Sequence, residues 1–228
     1  MKLLPILLIV LYAVAMWLLS AWRLRQQLTA NSTPLNDPRL SAALDRLGRA
    51  MGIGPVKAHV FEIKPVNGLA APDGRVFLTR GFLDQFDAGR VTEAELASVI
   101  AHELGHVTHG HARRRMMDFA GQNLVRVVLA TTFGRFIPFI GPWIATLVAS
   151  ALAAKLSRED EFEADAFAAA LMVKAGFGTG PQKGLLSRLD KLTGMTGRPV
   201  DWLASHPPIP RRIAAIEALE RRWNLTAA

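Results

Sequence analysis

The chain begins with a long apolar run. Residues 3–22 contain no charged side chain, and a helix of that length, at about 1.5 Å per residue, matches a hydrocarbon core of about 30 Å. We therefore expect an N-terminal transmembrane helix over residues 1–25. The small residues at 13–15 keep open the alternative of a cleaved signal peptide, but the apolar run continues beyond them, which favours the anchor. Arg23 and Arg25 favour a cytoplasmic position for the rest of the chain, with the extracytoplasmic side as the alternative.

The pattern after this run predicts a mainly helical α+β domain. Residues 26–39 are rich in Asn, Ser, Thr and Pro, which is typical of a linker, so we place the folded domain at residues 40–228. Leucines at helical spacing predict an amphipathic helix that ends near Gly52. Strand-forming residues at 60–63 and 76–79, on either side of a Pro-Asp-Gly turn signal, predict a small antiparallel sheet.

A second apolar region covers residues 124–154. Arg126 and Arg135 interrupt its first part, and Gly141 with Pro142 is expected to break the rest. The apolar stretch that remains is short for a membrane span. We therefore interpret the region as a buried or interfacial helix hairpin, with a spanning segment as the alternative.

Composition narrows the classes of function. Half of the residues are hydrophobic and the formal net charge is +8, but the basic residues are scattered and no groove-reading motif accompanies them. Membrane lipid with anionic headgroups explains this charge with fewer assumptions than nucleic acid does, so no nucleic-acid partner is expected. The absence of cysteine excludes disulfides and thiolate ligands for a metal.

The strongest chemical signal is a histidine pair on a well-defined helix. Thr92 and Glu95 form a capping-box pattern at the start of this helix. His102 and His106 follow four residues apart, so their imidazoles share one helical face and can bind one Zn²⁺ at about 2.0 to 2.1 Å from each nitrogen. Glu103 lies one position round the helix and can act as a general base without binding the ion. The alternative is a chance match on a solvated helix, which the apolar residues before His102 disfavour.

A catalytic zinc ion needs a third protein ligand and one open position. Without cysteine this ligand must be His, Asp or Glu, and the densest candidate region is the acidic segment at 157–165. Glu161 and Asp165 are four residues apart in this segment and share a helical face. One of them could bind the ion while the other orients a ligand histidine. Taken alone, such a segment is typical of a solvated helix N-terminus.

Three motifs in this order resemble those of the M48 peptidases, a family of zinc metallopeptidases that includes the membrane protease HtpX and the CAAX prenyl proteases. They are His-Glu-Leu-Gly-His at 102–106, Glu-Phe-Glu-Ala-Asp at 161–165 and Ser-His-Pro-Pro at 205–208, and the resemblance covers about residues 67–219. It implies a zincin-type metallopeptidase fold with one Zn²⁺ per chain. The implied metal ligands are His102, His106 and Glu161.

The resemblance also implies supporting roles around these ligands. Asp165 would contact a ligand histidine from outside the metal site. His206 would lie near the metal and help to stabilise the oxyanion, with Arg212 supporting that region. His109 and His111 match no ligand position of the family, and we interpret both as surface residues.

The substrate cleft is matched more loosely. Asn67 and the residues after it resemble the edge of the family's cleft, ahead of the strand at 76–79. An extended substrate would add to this strand as to an exposed sheet edge. The implied substrate-binding residues are Asn67, Val76, Phe77, Leu78 and Thr79.

The expected function is that of a zinc metalloendopeptidase that is anchored at a membrane and hydrolyses peptide bonds in protein or peptide substrates. Members such as HtpX have two clear spans between the zinc histidines and the glutamate, so the broken region at 124–154 indicates a compact member of the family. Two alternatives stay open. One is a catalytically inactive zinc-binding scaffold at a membrane, and the other is a basic membrane or nucleic-acid adaptor.

Overall fold

Helices dominate the fold, as the sequence pattern predicts. The structure, a computed structural model, describes residues 3–71, 73–111, 114, 141–194 and 207–224. In chain order its elements are α1 (Leu3–Ala30), β1 (Ser32–Pro34), α2 (Pro38–Met51), β2 (Ala58–Phe61), β3 (Gly68–Ala70), β4 (Val76–Thr79), α3 (Arg80–Asp87), α4 (Glu93–Thr108), α5 (Gly141–Lys174), α6 (Gly180–Gly194) and α7 (Ile209–Arg222).

The described strands form one small mixed sheet in the order β1-β2-β4-β3. β1 is antiparallel to β2 and β3 is antiparallel to β4, but β2 and β4 run parallel. The expectation of an antiparallel sheet is therefore wrong for these two strands. The reason is β3, a strand of only three residues that the hydrophobic pattern does not reveal. The turn around Gly74, at a φ of 87°, returns the chain from β3 into β4, so β4 runs in the same direction as β2.

The N-terminal helix is joined directly to the sheet. α1 passes after one residue into β1, which pairs with β2. Leu28, near the end of α1, is buried against Ala71 and Phe77. Residues 26–39, expected to form a linker, therefore contribute the end of α1 and an edge strand. No helix within the described residues combines the length and the hydropathy needed to cross a membrane.

The centre of the domain is α4, which contacts α2, α5, α6 and the strands β3 and β4. The predicted capping box is confirmed, because the Thr92 hydroxyl accepts from the amide of Glu95 while the Glu95 carboxylate accepts from the amide of Thr92. Leu96 and Ile100 of α4 share one apolar cluster with the amphipathic face of α2. The buried leucines of α2 are Leu40, Leu44 and Leu47.

The long helix α5 runs without interruption from Gly141 to Lys174. Gly141 and Pro142 occupy its first turn, where proline is tolerated. Residues 141–154, expected to be half of a helix hairpin, form the first part of this helix, and residues 124–140 lie outside the described residues. The acidic segment at 157–165 therefore lies within α5 rather than at a helix N-terminus.

Candidate metal centre

Helix α4 presents both motif histidines on one face, as their spacing predicts. The Nε2 atoms of His102 and His106 are 3.1 Å apart, and both side chains are buried. Glu103, one position round the helix, is buried as well. The two imidazoles therefore direct one nitrogen each towards a common point.

Glu161 reaches the same point from α5. Its Oε2 atom is 3.4 Å from Nε2 of His102, and its Oε1 atom is 3.5 Å from Nε2 of His106. In a tetrahedral site with bonds of about 2.0 to 2.1 Å, the ligand atoms are about 3.3 to 3.4 Å from one another. The observed separations fit this geometry, so the three side chains could hold one metal ion.

A glycine makes this approach of α5 to α4 possible. A Cβ atom at Gly105 would lie 3.0 Å from Cα and 3.1 Å from the carbonyl oxygen of Ala164. The backbones of the two helices are therefore in contact between the histidines of α4 and close to Glu161 in α5. A side chain at position 105 would push them apart.

A buried ion pair supports His102 from the side away from Glu161. Nδ1 of His102 is 3.0 Å from Oδ1 of Asp165, and Arg212 of α7 donates to both oxygens of Asp165 at 2.6 Å. Burial alone would raise the pKa of Asp165, but the Arg212 guanidinium outweighs it and lowers this pKa to about 2. Asp165 is therefore an anion at neutral pH and favours a proton on Nδ1 of His102.

The same carboxylates control the protonation of His102. Burial alone would lower its pKa, but hydrogen bonds with Asp165 and Glu161 outweigh this effect and raise it to about 9. His102 therefore carries a proton on both nitrogens at neutral pH when no metal is bound. A metal ion must displace the proton on Nε2.

His106 is supported by a residue that we expected at the surface. His111 is fully buried, and its Nδ1 atom is 2.8 Å from Nδ1 of His106. The interpretation as a surface residue is therefore wrong for His111, whereas His109 is exposed. The reason is Gly110, which follows the C-cap residue of α4, adopts a φ of 66° and turns the chain back towards the helix. A glycine between two histidines was the signal that could have indicated this return.

The second nitrogen of His111 faces the acidic segment of α5. Its Nε2 atom is 3.0 Å from Oε2 of Glu163 and 3.7 Å from Oδ1 of Asp160. Arg114 lies beside both carboxylates, at 3.2 Å from Asp160 and 3.6 Å from Glu163. Burial lowers the pKa of His111 against the opposing effect of Glu163, so the ring is neutral at pH 7.

One further residue was missed by sequence reasoning. Gln182 of α6 is buried and donates through Nε2 to the backbone oxygen of Asp165 at 3.2 Å. An isolated glutamine on a helix carries no chemical motif. Its position therefore follows from the packing of α6 against α4 and α5 and could not be read from its neighbours in the chain.

A pocket opens beside Glu103. Its wall includes Asn67, Gly68, Val99 of α4 and Leu186 of α6. A Cβ atom at Gly68 would be 3.1 Å from Oε1 of Glu103 and 2.7 Å from Val99. The strand β3 therefore runs directly against the Glu103 carboxylate.

The residues expected to bind substrate have a different arrangement. All four residues of β4, at 76–79, are buried, and the strand is paired on both sides. The expectation that β4 offers an exposed sheet edge is therefore wrong, because β3 occupies that edge next to the pocket. Thr79 instead supports the pocket wall, since its hydroxyl accepts from the Asn67 amide and donates to the Asn67 carbonyl. His206 lies outside the described residues.

Two histidines and a glutamate on one helix, joined by a glutamate from a second helix, are the arrangement typical of metallopeptidases. The chain belongs to peptidase family M48, whose model matches residues 34–220. The family that the three motifs indicated is thereby confirmed.

Relatives of the chain carry names of the same class. It is 30% identical to Metalloprotease YcaL of Escherichia coli (strain K12) over 174 residues, which are 76% of this chain and 66% of that protein. It is 29% identical to Metalloprotease LoiP of the same organism over 175 residues, again 76% of this chain and 66% of that protein. A Protease HtpX homolog of Acidiphilium cryptum (strain JF-5) is 29% identical over 221 residues, 78% of this chain and 73% of that protein. The chain thus spans slightly less than two thirds of the length of the two Escherichia coli relatives.

Proposed function

We propose that this chain is a zinc-dependent metalloendopeptidase of the zincin type that hydrolyses proteins or peptides at a membrane. The observation that carries the proposal is the convergence of His102, His106 and Glu161 on one point, with Glu103 and a pocket beside it. The names of the relatives, two metalloproteases and a protease, support the same class.

Zinc is the proposed ion, one per chain. Two imidazoles and one carboxylate, with a tetrahedral corner left for solvent, are a donor set of catalytic zinc sites. Zinc held by His102, His106 and Glu161 would supply Lewis-acid chemistry, making water nucleophilic near neutral pH and polarising the substrate carbonyl. Asp165 contributes by fixing the proton of His102 on Nδ1, which directs the Nε2 lone pair to the ion.

Glu103 is the proposed general base. Its buried carboxylate takes a proton from the attacking water and then delivers it to the leaving amine nitrogen, a role worth about 10² to 10⁴-fold in rate. A hydrophobic pocket wall beside it, including Val99 and Leu186, limits access of bulk water. We further propose that His206 donates a hydrogen bond to the oxyanion.

The proposed substrate path follows β3. This strand forms an edge of the sheet and lies against Glu103, so an extended peptide paired with its backbone would carry a carbonyl group past the site. Gly68 has no side chain that could obstruct such a peptide. Asn67 and Thr79 hold the start of the strand in place.

The proposed membrane contact is made by α1. Large apolar side chains on this helix are exposed to solvent, and such surfaces are typical of contact with lipid or protein. Arg23 and Arg25 follow the apolar run and favour the cytoplasmic side for the domain. The exposed apolar residues are Leu11, Tyr12, Val14, Met16, Leu18, Leu19, Trp22 and Leu24.

The test compares three variants of the full chain in detergent, with casein as the substrate and zinc content measured in parallel. Glu103→Gln should keep zinc and lose at least about 10²-fold in rate, because a general base is removed without a ligand. His106→Ala should lose both zinc and hydrolysis. Glu93→Gln, the same chemical change in the first turn of α4, should behave as the parent.

Two results would contradict the proposal. If Glu103→Gln cleaved casein as fast as the parent, Glu103 could not be the general base. If the parent bound zinc but cleaved neither casein nor a library of peptides, the inactive scaffold would be the better description.

A further inference from the structure

The outer nitrogens of the two motif histidines have different partners. Nδ1 of His102 faces the carboxylate of Asp165, which is the usual partner of a metal-bound imidazole. Nδ1 of His106 faces another imidazole nitrogen, Nδ1 of His111, at 2.8 Å. Two facing nitrogens form a hydrogen bond when one carries a proton and the other offers a lone pair.

Metal binding decides which of these nitrogens carries the proton. If His106 binds the ion through Nε2, the proton of its neutral ring is on Nδ1, so His106 is the donor. His111 must then accept at Nδ1 and carry its own proton on Nε2. That proton points at Oε2 of Glu163, 3.0 Å away. One arrangement of protons therefore satisfies the whole series from His106 through His111 to Glu163.

The fold holds His111 in this position from two sides. Gly110 turns the chain back at the end of α4, and the side chain of His111 has no exposed surface. On the other side, Asp160 and Glu163 flank Glu161 on α5. The helix that supplies a carboxylate to the ion thus also supplies the carboxylate that orients His111.

We propose that His111 is a positioning residue that accepts a hydrogen bond from His106 and, through Glu163, keeps the Nε2 lone pair of His106 directed at the metal. This inference rests on the proposed metal site but requires no turnover. In this inference His106 is oriented by the imidazole of His111, which is in turn oriented by the carboxylate of Glu163. His102, by contrast, contacts the carboxylate of Asp165 directly.

The same cluster has a competing interpretation. His109, His111 and Glu163 could themselves hold a metal ion. A metal on Nε2 of His111 would move the ring proton to Nδ1, where it would oppose the proton on Nδ1 of His106. Metal binding at one site would therefore lower the affinity of the other. Every ring N–H in the cluster has an acceptor only when a single ion is bound at His106.

The test uses a matched pair of variants with similar size. His111→Asn keeps an acceptor oxygen at the place of Nδ1, whereas His111→Leu removes it and retains the volume. We expect His111→Leu to bind zinc about 10 to 100-fold more weakly in competition with a chelator, and His111→Asn to recover most of this loss. His109→Asn, at an exposed position in the same turn, is the control and should bind zinc as the parent does.

Three outcomes would overturn the proposal. The first is equal zinc affinity of His111→Leu and the parent, and the second is an equal loss in His111→Leu and His111→Asn, which would indicate packing alone. The third is a second bound zinc ion that His109→Asn removes, which would favour the competing metal site. Thermal unfolding of the metal-free variants shows whether each of them is folded.

A spectroscopic measurement on the unmutated protein covers the case in which the variants do not fold. In the zinc-loaded protein, ¹⁵N chemical shifts should show a protonated Nδ1 in His106 and an unprotonated Nδ1 in His111. A proton on Nδ1 of His111 would refute the series. If the zinc-loaded protein showed these signatures but did not cleave casein, the proposed peptidase activity would be refuted and the role of His111 would stand.

Discussion

Replacement of Gly105 by alanine tests how the two helices build the site. The added methyl group would meet Cα of Ala164 at 3.0 Å and its carbonyl oxygen at 3.1 Å. Ordinary contacts between carbon atoms begin at about 3.5 Å, so α5 must move by about 0.5 Å. Because the close atoms belong to backbone, no side chain can rotate away to relieve the contact.

The expected loss of stability is small. Overpacking costs about 1 to 3 kcal/mol, while alanine gains about 0.8 to 1 kcal/mol over glycine in a helix, which leaves a net loss of up to about 2 kcal/mol. For a domain of this size that corresponds to a fall in Tm of up to about 8 °C. The variant should therefore fold.

The expected loss of metal binding is larger. A displacement of about 0.5 Å between α4 and α5 exceeds the tolerance of about 0.2 Å for metal–ligand distances, and it separates Glu161 from the histidine pair. We expect zinc affinity to fall at least about tenfold, measured by chelator competition, with Tm measured in chelator. Gly180→Ala is the matched control, because a Cβ atom at that position of α6 meets no atom within 4 Å. If Gly105→Ala bound zinc as tightly as Gly180→Ala, close helix contact would not be what assembles the site.

Two further predictions concern the supports of His102. Asp165→Asn should lower the free energy of unfolding by about 3 to 5 kcal/mol, because it removes the carboxylate to which the buried guanidinium of Arg212 donates at 2.6 Å. Urea unfolding in chelator measures this loss. Asp165→Asn combined with Arg212→Met should recover part of it. The pKa of His102 is raised to about 9 in the metal-free protein, so zinc binding at pH 7 should release about one proton from this ring. The apparent affinity for zinc should also fall about tenfold for each pH unit below 9. Calorimetry in two buffers of different ionisation enthalpy counts the protons, and a count of zero would contradict the assigned state of His102.

Relations within one helix were predictable from the sequence. The capping box of Thr92 and Glu95 depends on residues three apart, and the shared face of His102 and His106 depends on residues four apart. Helical geometry sets both distances once the helix forms. For the same reason the buried face of α2 followed from its leucine spacing.

Relations between elements were predictable only in part. The resemblance to M48 peptidases predicted that Glu161 and Asp165 lie close to the motif histidines. It carried no information on His111, which matches no ligand position of the family. The strand pairing was missed for a related reason. β3 has only three residues, Gly68–Ala70, and little strand pattern, yet it occupies the sheet edge expected of β4 and makes the sheet mixed.

The sequence by itself determined the faces of α2 and α4, the residue types that could bind a metal ion and the membership of peptidase family M48, because these depend on local spacing and on residue type. The tertiary structure decided which atoms meet: Glu161 with the histidine pair, His111 with His106, and β3 with Glu103. Each of these contacts joins separate turns or elements, and its distance depends on how closely backbones can pack. Glycines make these contacts possible at three positions, Gly68, Gly105 and Gly110. Because glycine has no side chain, it contributes little to the hydrophobic pattern from which the elements were predicted.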